Sequence, residues 1–213
     1  MQKLGGHRQR HVLGTSPDLP DDDYVLGRTS QEYQRLRWQA RLWEPITARV
    51  LDQVGIGPGM RRLDAWTRPG GVMLVQEFDA HTMDIWPRLA TWEEFERVLY
   101  GVFEKTGRDP RFGQKLPLHV AAAGLGGPDG TDVAGLLLPL VEIGVMFQAV
   151  YQSIRPVGLR LGLTTEADGQ AFLAEIAEAA HERRGVGMSP LLVSVWKRKP
   201  PEPDTRPTRE SRL

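Results

Sequence analysis

Four polar side chains with catalytic potential follow one short apolar run. Residues 72–75 are Val-Met-Leu-Val, and they lead directly into Gln76 and Glu77, then Asp79 and His81. Carboxylates and histidine can orient or deprotonate a bound acceptor. We therefore expect Glu77 and His81 to be catalytic, and Gln76 and Asp79 to contact a substrate. His119, further along the chain, is a second candidate base. Two alternatives stay open: ordinary hydrogen bonding to backbone donors for the carboxylates, and a structural or surface role for both histidines.

The apolar run itself predicts a strand. A continuous run of this kind is typical of a strand covered on both faces, as in a parallel α/β sheet. Ligands bind beyond the carboxyl ends of such strands. The polar residues from Gln76 to His81 are therefore expected at a binding site.

The flanking residues carry a family resemblance. Residues 67–77 read Thr-Arg-Pro-Gly-Gly-Val-Met-Leu-Val-Gln-Glu, and residues 54–64 read Val-Gly-Ile-Gly-Pro-Gly-Met-Arg-Arg-Leu-Asp. The first resembles the turn and fifth strand of class I S-adenosylmethionine (SAM) dependent methyltransferases, and the second resembles the entry to their first strand. The resemblance implies methyl transfer from SAM to a small organic acceptor. It also implies an α/β fold, with a reduced Rossmann-like methyltransferase sheet of about three or four strands and flanking helices.

The chain departs from this family at the cofactor loop. Asp64 is followed by Ala65, Trp66 and Thr67, where the family has an acidic, glycine-rich loop that holds SAM. The glycines of residues 55–59 come before the candidate strand, whereas a nucleotide loop follows one. We expect those glycines to form a helix-to-strand connection, and SAM binding to be impaired.

The N-terminal part adds two sets of candidates. Tyr-Val-Leu-Gly at residues 24–27, with Arg37, Gln39 and Trp43 further on, is similar to the N-terminal helices of some SAM methyltransferases. Those helices fold over the cofactor and close the substrate pocket. The resemblance therefore assigns Tyr24 and Arg37 to the cofactor and Trp43 to the substrate. Core packing is the alternative for Trp43.

Helix signals surround the predicted strand. Thr29 and Glu32 form a capping box, the following apolar face has helical spacing, and Gly55 ends the pattern. Pro45 within this helix is expected to kink or split it.

A second capping box, at Thr91 and Glu94, opens a strongly amphipathic helix that ends at Gly107. A shorter helix is expected over residues 117–123, with Pro117 in its first turn.

The C-terminal half is more apolar. Residues 133–154 predict bent or paired helices, because Gly135, Pro139 and Gly144 interrupt a helical pattern. Met146, Phe147 and Tyr151 in this stretch are candidates to line an acceptor pocket, with core packing as the alternative. Thr165 opens another helix.

Residues 189–196 predict the last strand, which the resemblance makes antiparallel. We expect a mobile arm at residues 1–23, one domain at 24–199 and a disordered tail at 200–213.

Composition excludes several classes of function. Lysine plus arginine and aspartate plus glutamate both total 27, so nothing favours nucleic acid or an acidic membrane as a partner. There is no cysteine, and the five histidines lack metal-site spacing, so no metal is expected. No apolar run is long enough to span a bilayer, and no signal core opens the chain, which predicts a cytoplasmic protein.

Three hypotheses follow. The chain is a methyltransferase relative that transfers methyl groups if SAM binds. Alternatively, it is a non-catalytic module that binds a small molecule or an oligomer partner, with a homodimer expected through an exposed sheet edge. A third hypothesis is an in-frame shortened form of a longer gene.

Overall fold

The computed structural model describes residues 30–55 and 69–200. Several predictions lie outside these residues: the arm at 1–23, the site residue Tyr24, the capping box at Thr29, the candidate strand near Asp64, and the tail after Pro200.

The described residues form a mixed α/β fold with five α-helices and six strands. The helices are α1 (Ser30–Val54), α2 (Trp92–Lys105), α3 (Phe112–Val120), α4 (Leu140–Arg160) and α5 (Glu166–His181). The strands are β1 (Val72–Asp79), β2 (Asp84–Trp86), β3 (Gly130–Ala134), β4 (Leu137–Pro139), β5 (Val186–Met188) and β6 (Leu191–Arg198). A 3-10 turn (Ala80–Thr82) follows β1, and a π-helical turn (Ala121–Leu125) follows α3.

The strands form two antiparallel sheets. One has the order β1-β6-β3 and the other the order β2-β5-β4. The parallel arrangement predicted from residues 72–75 is therefore wrong for the described sheets. The sheet that contains β1 has three strands, within the three or four expected, and the second three-stranded sheet was not predicted. The apolar run correctly indicates cover on both faces of β1. Trp43 of α1 packs on Phe78 at one face, and Leu116 of α3 belongs to the cluster with Val75 at the other.

The last strand is antiparallel to β1, as predicted. Leu74 lies opposite Trp196, and Asp79 lies opposite Leu191. The Pro-Gly turn before β1 is also present, and Gly70 adopts a positive φ of 77° there. Its backbone N–H bonds to the carbonyl of Lys199 at 3.0 Å, which joins the start of β1 to the end of β6.

The stretch of residues 133–154 differs from its prediction. Its first part forms β3 and β4, and only Leu140 onward is helical. β3 pairs with β6, which lies some sixty residues later in the chain, and every second residue of β3 is exposed. Residues 130–134 therefore form a strand because of this long-range pairing, and not because of their local apolar content.

The predicted helix boundaries hold in part. α1 ends at Val54 and Gly55 follows with a φ of 73°, as expected. α1 is continuous through Pro45, so the predicted split does not occur. Pro117 lies inside α3, which begins five residues earlier than the helix predicted there.

Of the two predicted helix caps described next, one is confirmed and one is wrong. Thr165 caps α5 as predicted, because its hydroxyl accepts the N–H of Asp168 at 3.2 Å. Thr91 precedes α2, but it makes no side-chain cap, so the second capping box is wrong. Its hydroxyl instead donates to Glu175 of α5 at 2.6 Å, since the packed carboxylate is a stronger acceptor.

The main core lies between α2, α4 and α5. Five aromatic rings pack together there: Trp92, Phe95, Phe147, Tyr151 and Phe172. All five side chains are fully buried. Within the described part of the chain, no helix is long and apolar enough to cross a membrane.

Candidate functional site

A cavity of about 770 Å³ opens at the carboxyl end of β1. Its walls come from α1, the end of β1, α2, the connection at residues 107–110, α3 and α4. A volume of this size suits a small organic molecule. The described residues therefore place a cavity where the polar residues after β1 were predicted to act.

The body of the cavity is apolar. Phe78, Met83 and Leu99 line its inner part, and Met146 and Val150 present one face of α4 to it. Met83, Leu99 and Met146 are buried. Apolar walls with a few polar groups are typical of small-molecule sites, because burial supplies affinity while the polar groups orient the ligand.

Two of the charged residues that line the cavity differ strongly in how far they are buried. Arg35 of α1 is only 8% exposed, and its Nη1 donates to Gln39 Oε1 at 2.6 Å. Glu77 is exposed, and its Oε1 accepts the backbone N–H of Phe78 at 2.9 Å. Both residues line the cavity. Glu77 is thus placed to contact a bound molecule.

Asp79 organises the end of β1. Its Oδ1 accepts the N–H of His81 at 3.1 Å, and its Oδ2 accepts Nε2 of Gln114 at 2.6 Å. The next residue, Ala80, donates its N–H to the carbonyl of Pro110 at 2.9 Å. Asp79 is 4% exposed and does not line the cavity. Its carboxylate therefore ties the 3-10 turn and α3 to β1.

The start of α3 lies directly on the backbone of β1. A Cβ added to Gly113 would sit 2.8 Å from the carbonyl carbon of Phe78 and 2.9 Å from the nitrogen of Asp79. Backbone atoms at that distance cannot rotate away, so only glycine fits this contact.

Gly113→Ala is therefore expected to lower the free energy of unfolding by about 2 kcal/mol, through overpacking. Gly127→Ala is the matched control, since no atom lies within 4 Å of its added Cβ. Urea unfolding of both variants checks this expectation. Equal stability of the two would show that α3 does not contact β1 this closely.

His81 stacks on Tyr100 beside the cavity. The two rings have centroids 3.8 Å apart and planes 15° apart. Burial lowers the pKa of His81 below 6.5, and the nearby Arg111 lowers it further, against Asp79, Glu104 and Glu96. Burial likewise raises the pKa of Tyr100 to about 12. Both groups are therefore neutral at pH 7.

This lowered pKa predicts a loss of stability in weak acid. The unfolded chain binds the proton of His81 first, so acidification below pH 6.5 favours unfolding, and the full stability is present above it. His81→Phe keeps a ring on Tyr100 but cannot titrate. Its melting temperature is expected to fall less than that of the wild type between about pH 7.5 and pH 5.5. An equal fall in both proteins would contradict this.

Several other predicted site residues lie outside the cavity lining. Gln76 donates Nε2 to Ser194 Oγ at 2.9 Å across the sheet, and does not line the cavity. Trp43 is buried against Phe78, whose ring centroid lies 5.0 Å away, one layer behind the cavity wall. Arg37 is exposed on α1.

Phe147 and Tyr151 lie in the aromatic core, outside the cavity lining. Of the candidate residues from the sequence that the structure describes, Glu77, His119 and Met146 line the cavity.

Sequence reasoning named Met146 of α4 as a pocket residue, but it missed Arg35 of α1 and Val150 of α4. Arg35, Gln39 and Trp43 are spaced by four residues, which places them along one side of α1. Met146 and Val150 have the same spacing on α4. The helical periodicity contains this signal, but it does not tell which buried stripe faces a cavity rather than the core.

A smaller cavity of about 480 Å³ lies beside the start of α2. Its buried carboxylate, Glu94, accepts the hydroxyls of Tyr151 and Thr164, the first at 2.7 Å, and also pairs with Arg97. These partners satisfy Glu94 within the fold. Among the residues that the structure describes, no group of three or more histidines and carboxylates is placed to hold a metal ion.

The sequence matches no protein-family model, and no curated protein matches it. The larger cavity and the residues that line it are therefore the main guide to function.

Proposed function

We propose that the protein binds a small, largely apolar organic molecule in the cavity at the carboxyl end of β1. The observation that carries this proposal is the cavity itself, with about 770 Å³ of space, apolar walls and a few polar groups. Burial of an apolar ligand there supplies the affinity, at roughly 25 cal/mol per Å².

We further propose that the chain is a relative of class I SAM-dependent methyltransferases, and that the cavity is its acceptor pocket. The Pro-Gly turn before β1 and the antiparallel strand β6 support this, as does the position of Glu77 in the cavity wall. In an active enzyme Glu77 would take the proton that the acceptor loses when the methyl group is transferred. Because the glycine-rich loop is absent from the sequence, cofactor binding is impaired, and ligand binding without catalysis is the function we favour.

Thermal unfolding with two ligands tests this choice. N-phenyl-1-naphthylamine, a neutral apolar probe, is expected to raise the melting temperature by roughly 5–10 °C at a hundredfold excess over its dissociation constant. S-adenosylhomocysteine, the product of methyl transfer, is expected to leave it unchanged. A rise with S-adenosylhomocysteine would restore methyl transfer as the function. No rise with the naphthylamine would contradict the binding proposal.

An oligomer partner is a second candidate role, favoured by the position of β1. In the described part of the chain, β1 is the last strand of its sheet, and no strand pairs with its outer edge. Such an edge is a template for pairing, and an antiparallel pair of two β1 strands is self-complementary. We propose a homodimer through this edge. Light scattering is expected to give twice 23.9 kDa, and a constant monomer mass would contradict the proposal.

A further inference from the structure

Aromatic rings line the larger cavity from three elements. Phe78 comes from the end of β1, Phe103 from the last turn of α2, and Phe112 with His119 from α3. The face and the edge of an aromatic ring carry opposite partial charges, so rings attract one another in preferred geometries, in addition to the apolar area that they bury. A lining of this kind favours a ligand that is itself aromatic.

The charged residues of the lining do not select one sign of charge. Arg35 and Arg108 are cations, and Glu77 and Asp109 are carboxylates. Because both signs are present, the aromatic rings distinguish classes of ligand better than the charges do.

Phe112 and His119 form a stacked pair in the wall of the cavity. Their ring centroids lie 4.6 Å apart, and their planes differ by 13°. Phe112 is 36% exposed, and His119 is also exposed, although both residues line the cavity. The stack covers one face of the Phe112 ring, and the exposed part of the ring is left to contact a ligand. A third flat ring can therefore continue the stack.

Contacts between α3 and β1 fix the position of Phe112. It is the first residue of α3, and the next residue, Gly113, lies so close to β1 that an added Cβ would be 2.8 Å from the carbonyl carbon of Phe78. The carbonyl of Pro110, just before the helix, accepts the N–H of Ala80 at 2.9 Å. A ring held on a fixed element loses little freedom when a ligand binds, so more of its interaction contributes to affinity.

Two thioethers lie in the buried part of the lining. Met83 and Met146 line the cavity and are almost inaccessible to solvent. Methionine sulfur makes favourable contacts with aromatic rings, often at the ring edge, and the flexible side chain adapts to the outline of a ligand. The inner part of the cavity therefore suits an aromatic ring as well as its α3 wall does.

We propose that the natural ligand carries a planar aromatic ring system, and that Phe112 stacks on that ring system. This proposal rests on the proposed function of the same cavity. The ligand ring lies on the exposed part of Phe112, while His119 packs on the face that the stack covers. Phe112 is then a residue that determines specificity for aromatic over saturated ligands.

A matched pair of probes tests the preference for a ring. 2-Naphthol and decahydro-2-naphthol share one carbon skeleton and one hydroxyl group, and only the first is aromatic and flat. Isothermal titration calorimetry measures the dissociation constant of each. Phe112→Leu keeps an apolar side chain but removes the ring, so it is expected to weaken binding of 2-naphthol roughly fivefold and to leave binding of decahydro-2-naphthol unchanged. Because each probe is compared with itself in two proteins, the difference in their hydration cancels.

Tyr33→Leu is the matched control. Tyr33 is 59% exposed on α1 and does not line the cavity, so the variant removes an exposed ring that does not touch the ligand. This control is expected to bind both probes as the wild type does. Phe112→Tyr keeps an aromatic ring at the same position, and its affinity for 2-naphthol is expected to stay close to that of the wild type. Circular dichroism melts confirm that each variant is folded.

The outcomes separate the two proposals. If both probes bind the wild type and Phe112→Leu weakens both equally, or neither, the stacking role of Phe112 is wrong, while the cavity still binds apolar molecules. An equal loss of 2-naphthol binding in Phe112→Leu and Tyr33→Leu likewise contradicts a specific role for Phe112. If neither probe binds the folded wild type, and N-phenyl-1-naphthylamine does not bind either, the proposed function fails, and this inference fails with it.

Discussion

Replacing Glu94 with alanine is expected to lower the free energy of unfolding by about 3 kcal/mol. Glu94 is 8% exposed and accepts hydrogen bonds from Tyr151 of α4 and from Thr164, which precedes α5, and it pairs with Arg97 on its own helix. The variant leaves two buried hydroxyls without their charged acceptor. For a domain of this size the melting temperature should fall by roughly 6–12 °C.

Glu93→Ala provides the control for Glu94. Glu93 lies in the same first turn of α2, but its side chain is exposed, so its loss removes only the favourable interaction with the helix N-terminus. Glu93→Ala should lower the free energy of unfolding by less than about 1 kcal/mol. Tyr151→Phe combined with Glu94→Ala should cost less than the sum of the two single changes, because they remove the same hydrogen bond. Equal melting temperatures for Glu93→Ala and Glu94→Ala would contradict a stabilising role for this network.

Replacing Val150 with tryptophan is expected to abolish binding of N-phenyl-1-naphthylamine at probe concentrations that saturate the wild type. Val150 lines the cavity from α4, so the larger side chain occupies space that the ligand needs. The dissociation constant should rise tenfold or more, which corresponds to about 1.4 kcal/mol or more of binding free energy. Fluorescence titration measures this directly.

The matched control lies on the same helix. Val145 is 57% exposed on the outer side of α4, and Val145→Trp adds the same side chain without entering the cavity. Its affinity for the naphthylamine is expected to match that of the wild type. Because extra volume in a packed site can itself destabilise, both variants are compared well below their melting temperatures. If both variants lose binding, or if neither does, the probe does not bind in the cavity that Val150 lines.

The sequence predicts those elements that local chemistry decides. Gly55 ends α1 because the chain turns there with a positive φ, and Thr165 caps α5 through its own hydroxyl. α2 follows from apolar residues at helical spacing. The strands β1 and β6 follow from short apolar runs between turns, and the antiparallel direction of β6 was implied by the family resemblance.

Elements that distant partners decide are the ones the sequence misses. β3 is a strand because it pairs with β6, and Thr91 gives up its capping bond because Glu175 of α5 offers a carboxylate. An apolar run reports that both faces of a strand are covered, but it carries no information about the direction of the neighbouring strand. That limit explains why β1 was expected in a parallel sheet.

Only some of the candidate site residues lie at the cavity. The carboxyl end of β1 does border a cavity, and Glu77 lines it. Gln76 and Asp79 bond within the fold, because strand alternation and the 3-10 turn direct their side chains toward Ser194 and Gln114. Arg35 was not predicted as a cavity residue, because the sequence alone does not show that a charged residue of a helix is buried.

Methyl resonances of the methionines test the central claim most directly. Met83 and Met146 line the cavity, whereas Met73 belongs to the cluster with Leu116 and Val120 on the α3 face of the sheet. Ring currents from bound N-phenyl-1-naphthylamine should shift the methyl signals of Met83 and Met146, and leave that of Met73 unchanged. If the probe saturates while the signals of Met83 and Met146 stay in place, the molecule does not bind in this cavity.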